Sequence, residues 1–139
     1  MSRLMLDTCV VFEMLLDFDS IDKNVLALLE DKNCMRCVSF ETLRELIVLF
    51  NNKKIRAKKW KTAQDIISTV KNDLDIKVLP LCEDVADTYS HLQINEELNH
   101  YDPSDHIIIS HTITLKMPLI SSDRKFPFYR RQGLDLIEC

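Results

Sequence analysis

Short apolar runs alternate with longer stretches of helical periodicity along this chain, and that alternation constrains the fold more than any other feature. Leu4–Leu6 reads as a strand ending at Asp7, and a helical pattern follows from Thr8 to Leu16. Asp19 or Ser20 is expected to cap a helix reaching about Leu29, with Ile21, Val25 and Leu28 on one face. Cys34–Val38 reads as a second strand. Ser39 then caps a helix in which Leu43, Leu46, Ile47 and Phe50 fall at i, i+3, i+4 and i+7. A further helix is expected from about Ala57 to Asn72, a strand over Ile76–Leu79 and a helix over Val85–Leu92. Pro80 argues against a central strand continuing at that point. Pro103–Leu115 reads as an isoleucine-rich, buried helix, with strands at Leu119–Ser121 and Leu134–Ile137. Strands alternating with helices imply α/β architecture: a parallel sheet covered on both faces. Ligands of such sheets bind beyond the carboxyl ends of the strands, so acidic residues there come first.

Composition narrows the class. The 139 residues suit one domain spanning 1–139, and 46% hydrophobic with 29% charged residues excludes a disordered tail or a coiled coil. The single glycine, Gly133, excludes glycine-rich phosphate loops and dinucleotide fingerprints. No apolar run approaches the ~20 residues of a membrane span, so no membrane association is expected. Met1–Thr8, with Arg3 and Asp7, makes a poor export signal, and the five cysteines are an odd number. Reduced thiols and a cytoplasmic location are therefore expected. Cys34-x-x-Cys37 lacks a second pair to complete a zinc site and reads as buried strand cysteines.

The acidic residues each have a structural and a chemical reading. Asp7 directly follows the first strand, where it either caps the next helix or faces a site at the sheet edge. Glu41 and Glu45 lie one helical turn apart; both read in isolation as solvated, but Glu45 borders the apolar stripe and could face a cleft. Asp102 is an ideal cap before Pro103, and Asp105 at the third helical position favours the helix dipole. Asp123 starts a turn just past another strand. Asp7 and Asp123 on adjacent parallel strands would come close in space. Packed carboxylates repel one another and raise a pKa. A divalent cation relieves that repulsion, and oxygen-only donors suit Mg²⁺ or Mn²⁺. Such sites hydrolyse phosphodiesters.

Four segments in this order resemble the PIN-domain family of metal-dependent ribonucleases, in particular the VapC-type toxins of type II toxin–antitoxin pairs. They are Leu4-Met5-Leu6-Asp7-Thr8, Ser39 to Glu45-Leu46, Tyr101-Asp102-Pro103-Ser104-Asp105-His106-Ile107-Ile108, and Leu119-Ile120-Ser121-Ser122-Asp123-Arg124-Lys125-Phe126. The resemblance covers essentially the whole chain. It implies a three-layer α/β/α domain with a central parallel sheet and a catalytic, metal-holding site of Asp7, Glu45, Asp105 and Asp123. Ser121 and Asp102 match accessory positions. It further implies Mg²⁺ or Mn²⁺ as cofactor, an RNA substrate hydrolysed by metal-activated water, homodimers and inhibition by a cognate antitoxin. Two departures stand out: His106 and Ile107–Ile109 replace the family's small residues, and the net charge is −4.

Basic residues mark where RNA could lie. Lys53, Lys54, Arg56, Lys58, Lys59 and Lys61 place six cations in nine positions around Trp60. Such a stripe either tracks phosphates while Trp60 stacks a base, or is a solvated loop with Trp60 in the core. Arg124, Lys125, Arg130 and Arg131 form a second group beside Asp123. His106 either touches a scissile phosphate or lies on the helix surface. His91, His100 and His111 show no metal spacing and read as structural or exposed. Two other functions compete with a nuclease. A haloacid-dehalogenase-like phosphatase needs a second aspartate where Cys9 stands. A degenerate PIN-like module would bind nucleic acid or protein without catalysis, and the retention of all four acids argues against it.

Overall fold

The computed structural model describes residues 2–139; Met1 lies outside the described residues. The strands are β1 (Ser2–Leu6), β2 (Cys34–Ser39), β3 (Lys77–Leu79), β4 (Leu119–Ser121) and β5 (Leu136–Glu138). The helices are α1 (Thr8–Leu16), α2 (Lys23–Glu30), α3 (Phe40–Asn51), α4 (Ala63–Ser68), α5 (Glu83–His91) and α6 (Pro103–Leu115). All four strand pairings are parallel, in the order β3-β2-β1-β4-β5.

Side-chain alternation divides the core between the two faces of the sheet. Leu4, Leu6 and Val38 pack with Val10, Val11 and Met14 of α1, Val25 and Leu29 of α2, and Leu43 and Leu46 of α3. Met5, Cys37 and Leu119 pack on the other face with Ile108 and Ile109 of α6, Phe126 and Tyr129. The central strands are thus covered on both sides, which gives the three-layer α/β/α arrangement and explains their continuous apolar character. β3, followed by Pro80, is an edge strand, where a missing donor is tolerated. No helix among the described residues is long and apolar enough to cross a membrane.

Local caps set the helix starts that matter for the site. Asp7 accepts from the Thr8 amide at 2.8 Å, Ser39 from Glu41 at 3.1 Å and Asp102 from Ser104 at 3.0 Å. Several expected boundaries move. Asp22, not Asp19 or Ser20, caps α2, because the Ser20 hydroxyl turns back to the Asp17 carbonyl at 2.8 Å and closes a 3₁₀ turn over Phe18–Ser20. The helix expected from Ala57 starts only at Ala63, where Asp65 accepts from the Lys61 and Thr62 amides at 2.7 and 2.8 Å. It then widens into a π-type turn over Thr69–Asp73. The last strand lies two residues further on than expected at its start, at Leu136.

Candidate active site

The chain builds β2 and β3 on one side of β1 and returns to build β4 and β5 on the other. The strand order therefore reverses between β1 and β4, and their carboxyl ends open the crevice where doubly wound sheets bind ligands. Asp7 stands at the end of β1, held by its amide to the Ile120 carbonyl at 3.0 Å. The Ser121 hydroxyl donates to Asp7 Oδ2 at 2.7 Å and accepts from the Asp123 amide at 3.1 Å. One hydroxyl thus ties together the exits of the two strands that carry the aspartates. Asp123 Oδ1 in turn accepts from the Lys125 amide at 2.9 Å, which fixes the turn.

Two helices bring the other carboxylates. Glu45, one turn into α3, accepts from the Thr8 hydroxyl at 2.6 Å. Asp105, in the first turn of α6, lies 2.9 Å from His100 Nε2 through its Oδ2. Donor atoms of His100, Asp105 and Asp123 all lie within 4.8 Å of one another.

The electrostatics are those of crowded like charges. Burial, and then the charges of Asp7, Asp102, Asp123 and Glu45, push the Asp105 carboxyl up to about 8. Burial also raises Asp7, against hydrogen bonds from Ser121, Thr8 and Cys9. Glu45 is raised by burial against the Thr8 and Ser104 hydroxyls. Cys9, beside Asp7, is pushed up to about 11 by burial and by that carboxylate, so its thiol stays protonated. Among the described residues, no lysine or arginine forms an ion pair with Asp7, Glu45, Asp105 or Asp123.

Several sequence readings change here. Trp60 is buried and donates its indole N–H to Thr69 Oγ1 at 3.1 Å, so it is a core residue and cannot stack a base. Arg130 is committed to Glu138 at 3.1 Å and to the Leu136 carbonyl at 3.1 Å, holding the last strand. Lys59 pairs with Asp73 at 3.6 Å, whereas Lys58 and Arg124 are exposed and Lys125 is half-buried. His106 is neither on the surface nor turned to the crevice: it is buried, with Nε2 2.8 Å from the His100 carbonyl. Glu41 is buried too, gripped by Arg44 through three hydrogen bonds of 2.6–2.9 Å and by the Ser104 hydroxyl at 3.0 Å.

His100 had no sequence signal as a partner of the acids. It sits at the end of a compact loop in which its own amide returns to the Asn95 carbonyl at 3.0 Å and Asn99 takes φ +53°. Only that fold-back aims its ring at Asp105. Glu41 did have a faint signal, an arginine three residues on, at a spacing that lets the pair meet on one helix face. His111 is buried on Ser39 Oγ at 2.8 Å and His91 is exposed, both apart from the acids.

A five-stranded parallel sheet with acids gathered at its switch point defines a class of α/β proteins with an acidic crevice. The PIN domain model matches residues 4–132, and the chain belongs to the PIN domain family. It is similar in fold to VapBC2 from Rickettsia felis, bound to a DNA fragment from its promoter, at 21% identity and TM-score 0.72, covering 98% of each chain. VapBC-1 from nontypeable Haemophilus influenzae shares 22% identity at TM-score 0.68, with 98% of this chain and 97% of that one covered. VapBC-5 from Mycobacterium tuberculosis, of the VapBC family of toxin–antitoxin systems, shares 20% identity at TM-score 0.66 over the full length of both. No curated protein matches the sequence.

Proposed function

We propose that this protein is a divalent-metal-dependent endoribonuclease, the toxin of a type II toxin–antitoxin pair, with Asp7, Glu45, Asp105 and Asp123 as its catalytic and metal-holding residues. The observation that carries the reading is the convergence of carboxylates without a lysine or arginine partner among the described residues, one of them pushed up to about 8. Such a cluster is unstable on its own and is relieved by a cation. Its donor set fits one: carboxylate oxygens dominate, which suits Mg²⁺ or Mn²⁺ over softer ions. When bound, the cation supplies Lewis acidity for phosphodiester hydrolysis.

The chain's own residues do the positioning. Ser121 holds Asp7 by one oxygen and aligns Asp123 through its amide. Thr8 holds Glu45. Asp102 serves α6 as its cap, which sets where Asp105 stands. In this reading Arg124, exposed one residue beyond Asp123, and Lys125 meet an RNA phosphate, with Lys58 and Lys59 as a more distant contact. A cognate antitoxin that covers the crevice, a homodimer and a cytoplasmic setting complete the proposal. The VapBC likeness in fold supports the toxin reading.

The test is cleavage of a mixed RNA pool by purified protein in EDTA, Mg²⁺ or Mn²⁺, beside Asp7→Asn. Cleavage that needs metal and is absent from the variant is the expected result. No cleavage by folded protein under either metal would turn the reading towards a non-catalytic binding module. Cleavage persisting in Asp7→Asn would place the site elsewhere.

A further inference from the structure

We infer that His100, locked by the Tyr129 hydroxyl, is a positioning residue that orients the Asp105 carboxylate towards the cation site. This rests on the proposed site, and deepens it. Tyr129 is fully buried. Its hydroxyl has two partners: the Asn95 amide at 3.0 Å and His100 Nδ1 at 2.9 Å. A backbone N–H can only donate, so the tyrosine oxygen accepts from Asn95; Nδ1 is then the one acceptor within reach of the buried hydroxyl hydrogen, which a protonated Nδ1 would leave without a partner among the described residues. A neutral imidazole accepting at Nδ1 carries its proton on Nε2, and Nε2 faces Asp105 Oδ2 at 2.9 Å. The direction of donation thus runs from the Asn95 amide through Tyr129 and His100 to the carboxylate.

The ring cannot turn away. It meets His106 edge-on at 4.9 Å and Tyr129 at 5.5 Å between centroids, with Phe126 also at 5.5 Å. The His106 ring nitrogen anchors the His100 carbonyl at 2.8 Å. Asn95 holds the same loop to the segment after β4, through its side-chain amide to the Lys125 carbonyl at 3.2 Å. With Oδ2 held, Asp105 Oδ1 takes no hydrogen bond from the described residues and is left for a ligand. Partners that orient a metal-binding side chain in this way typically change metal affinity about 10–100-fold when removed.

The experiment measures Mn²⁺ binding by calorimetry, with the metal alone, on wild type, Tyr129→Phe, His100→Leu, His100→Gln and Asp105→Asn, each checked for wild-type circular dichroism. Loss of the tyrosine hydroxyl is expected to weaken Mn²⁺ about 10-fold and His100→Leu up to about 100-fold. His100→Gln, whose side-chain amide can still donate to Oδ2, should recover part of that loss. Nitrogen-15 spectra should show His100 protonated at Nε2, with and without saturating Mg²⁺. Wild-type Mn²⁺ affinity in folded Tyr129→Phe would overturn the inference even if His100→Leu fails to fold. A proton on Nδ1, or an Nε2 that loses its proton when Mg²⁺ saturates the protein, would overturn it as well. Asp105→Asn separates the two levels. Unchanged Mn²⁺ binding there sinks the proposed site itself, whereas loss there beside wild-type binding in Tyr129→Phe and His100→Leu sinks only the positioning role.

Discussion

Glu41 and Asp105 are carboxylates sunk near the meeting of α3 and α6, and they are treated in opposite ways. Glu41 is enclosed by a bidentate arginine and a serine hydroxyl, so its charge is answered within the fold. Asp105 has a histidine on one oxygen and is surrounded by Asp7, Asp102, Asp123 and Glu45. The first arrangement is a structural clamp that joins two helices. The second leaves negative charge uncompensated, which costs stability and is retained where a ligand supplies the missing charge. A buried acid is thus informative about function chiefly when its counter-charge is missing.

Removing charge should sharpen that contrast most in activity. Asp105→Asn and Asp7→Asn are expected to lower RNA cleavage by about 10²–10³-fold, while Glu41→Gln leaves it within a fewfold; single-turnover rates on one RNA would compare them. Equal losses at Glu41 and Asp105 would erase the distinction.

Stability should show the reverse order. Arg44→Met strands the Glu41 charge inside the protein and should cost about 1–3 kcal/mol, less than the loss of a fully buried pair because Arg44 is half exposed. Urea unfolding in EDTA measures this. In the same assay at pH 9, Asp105→Asn should be no less stable than wild type.

A pH series tests the uncompensated charge directly. Asp105 is held at about 8 in the fold against 3.8 as an ordinary aspartate, so the native state binds more protons between those values. Stability from this group is then full below about pH 4 and is lost as pH rises through about 8. Metal-free wild type should therefore lose stability relative to Asp105→Asn between pH 6 and 9. Saturating Mg²⁺ should shrink that difference, because binding favours the ionised carboxylate. A gap that does not change with pH would mean that Asp105 is an ordinary surface acid.

The smallest effect is expected from the basic loop. Lys58→Ala with Lys59→Ala should weaken RNA binding about 2–5-fold and reduce its salt dependence, because these are solvated charges away from the acids. Trp60→Phe should leave RNA binding unchanged and cost about 0.5–1.5 kcal/mol of stability through its lost hydrogen bond to Thr69.

Much of the fold was legible in the chain. α1, α3 and α6 sit where the apolar runs and the capping residues Asp7, Ser39 and Asp102 put them. Those signals are local: a cap bonds to an amide two or three residues on, and periodicity is read within a single helix. The start of α4 was not legible, because the charges at 53–61 suit a solvated helix turn as well as a loop. What chose the loop was Asp65 bonding back to Lys61 and Thr62. Trp60 reads from the sequence either as a stacking platform or as a core residue, and its N–H bond to Thr69 makes it the latter.

Acids at the ends of strands and at helix starts, an α/β alternation and the absence of a glycine phosphate loop are properties of the sequence by itself, since each depends on neighbours along the chain. Which acids meet was decided by strand order: only the reversal between β1 and β4 sets Asp7 beside Ser121, 114 residues away. The burial of Glu41 against α6 and the aim of His100 at Asp105 were decided the same way, through contacts such as Ser104 on Glu41, 63 residues apart. Hydrogen bonds over such separations depend on how the layers pack, and the packing of layers is a property of the whole chain at once.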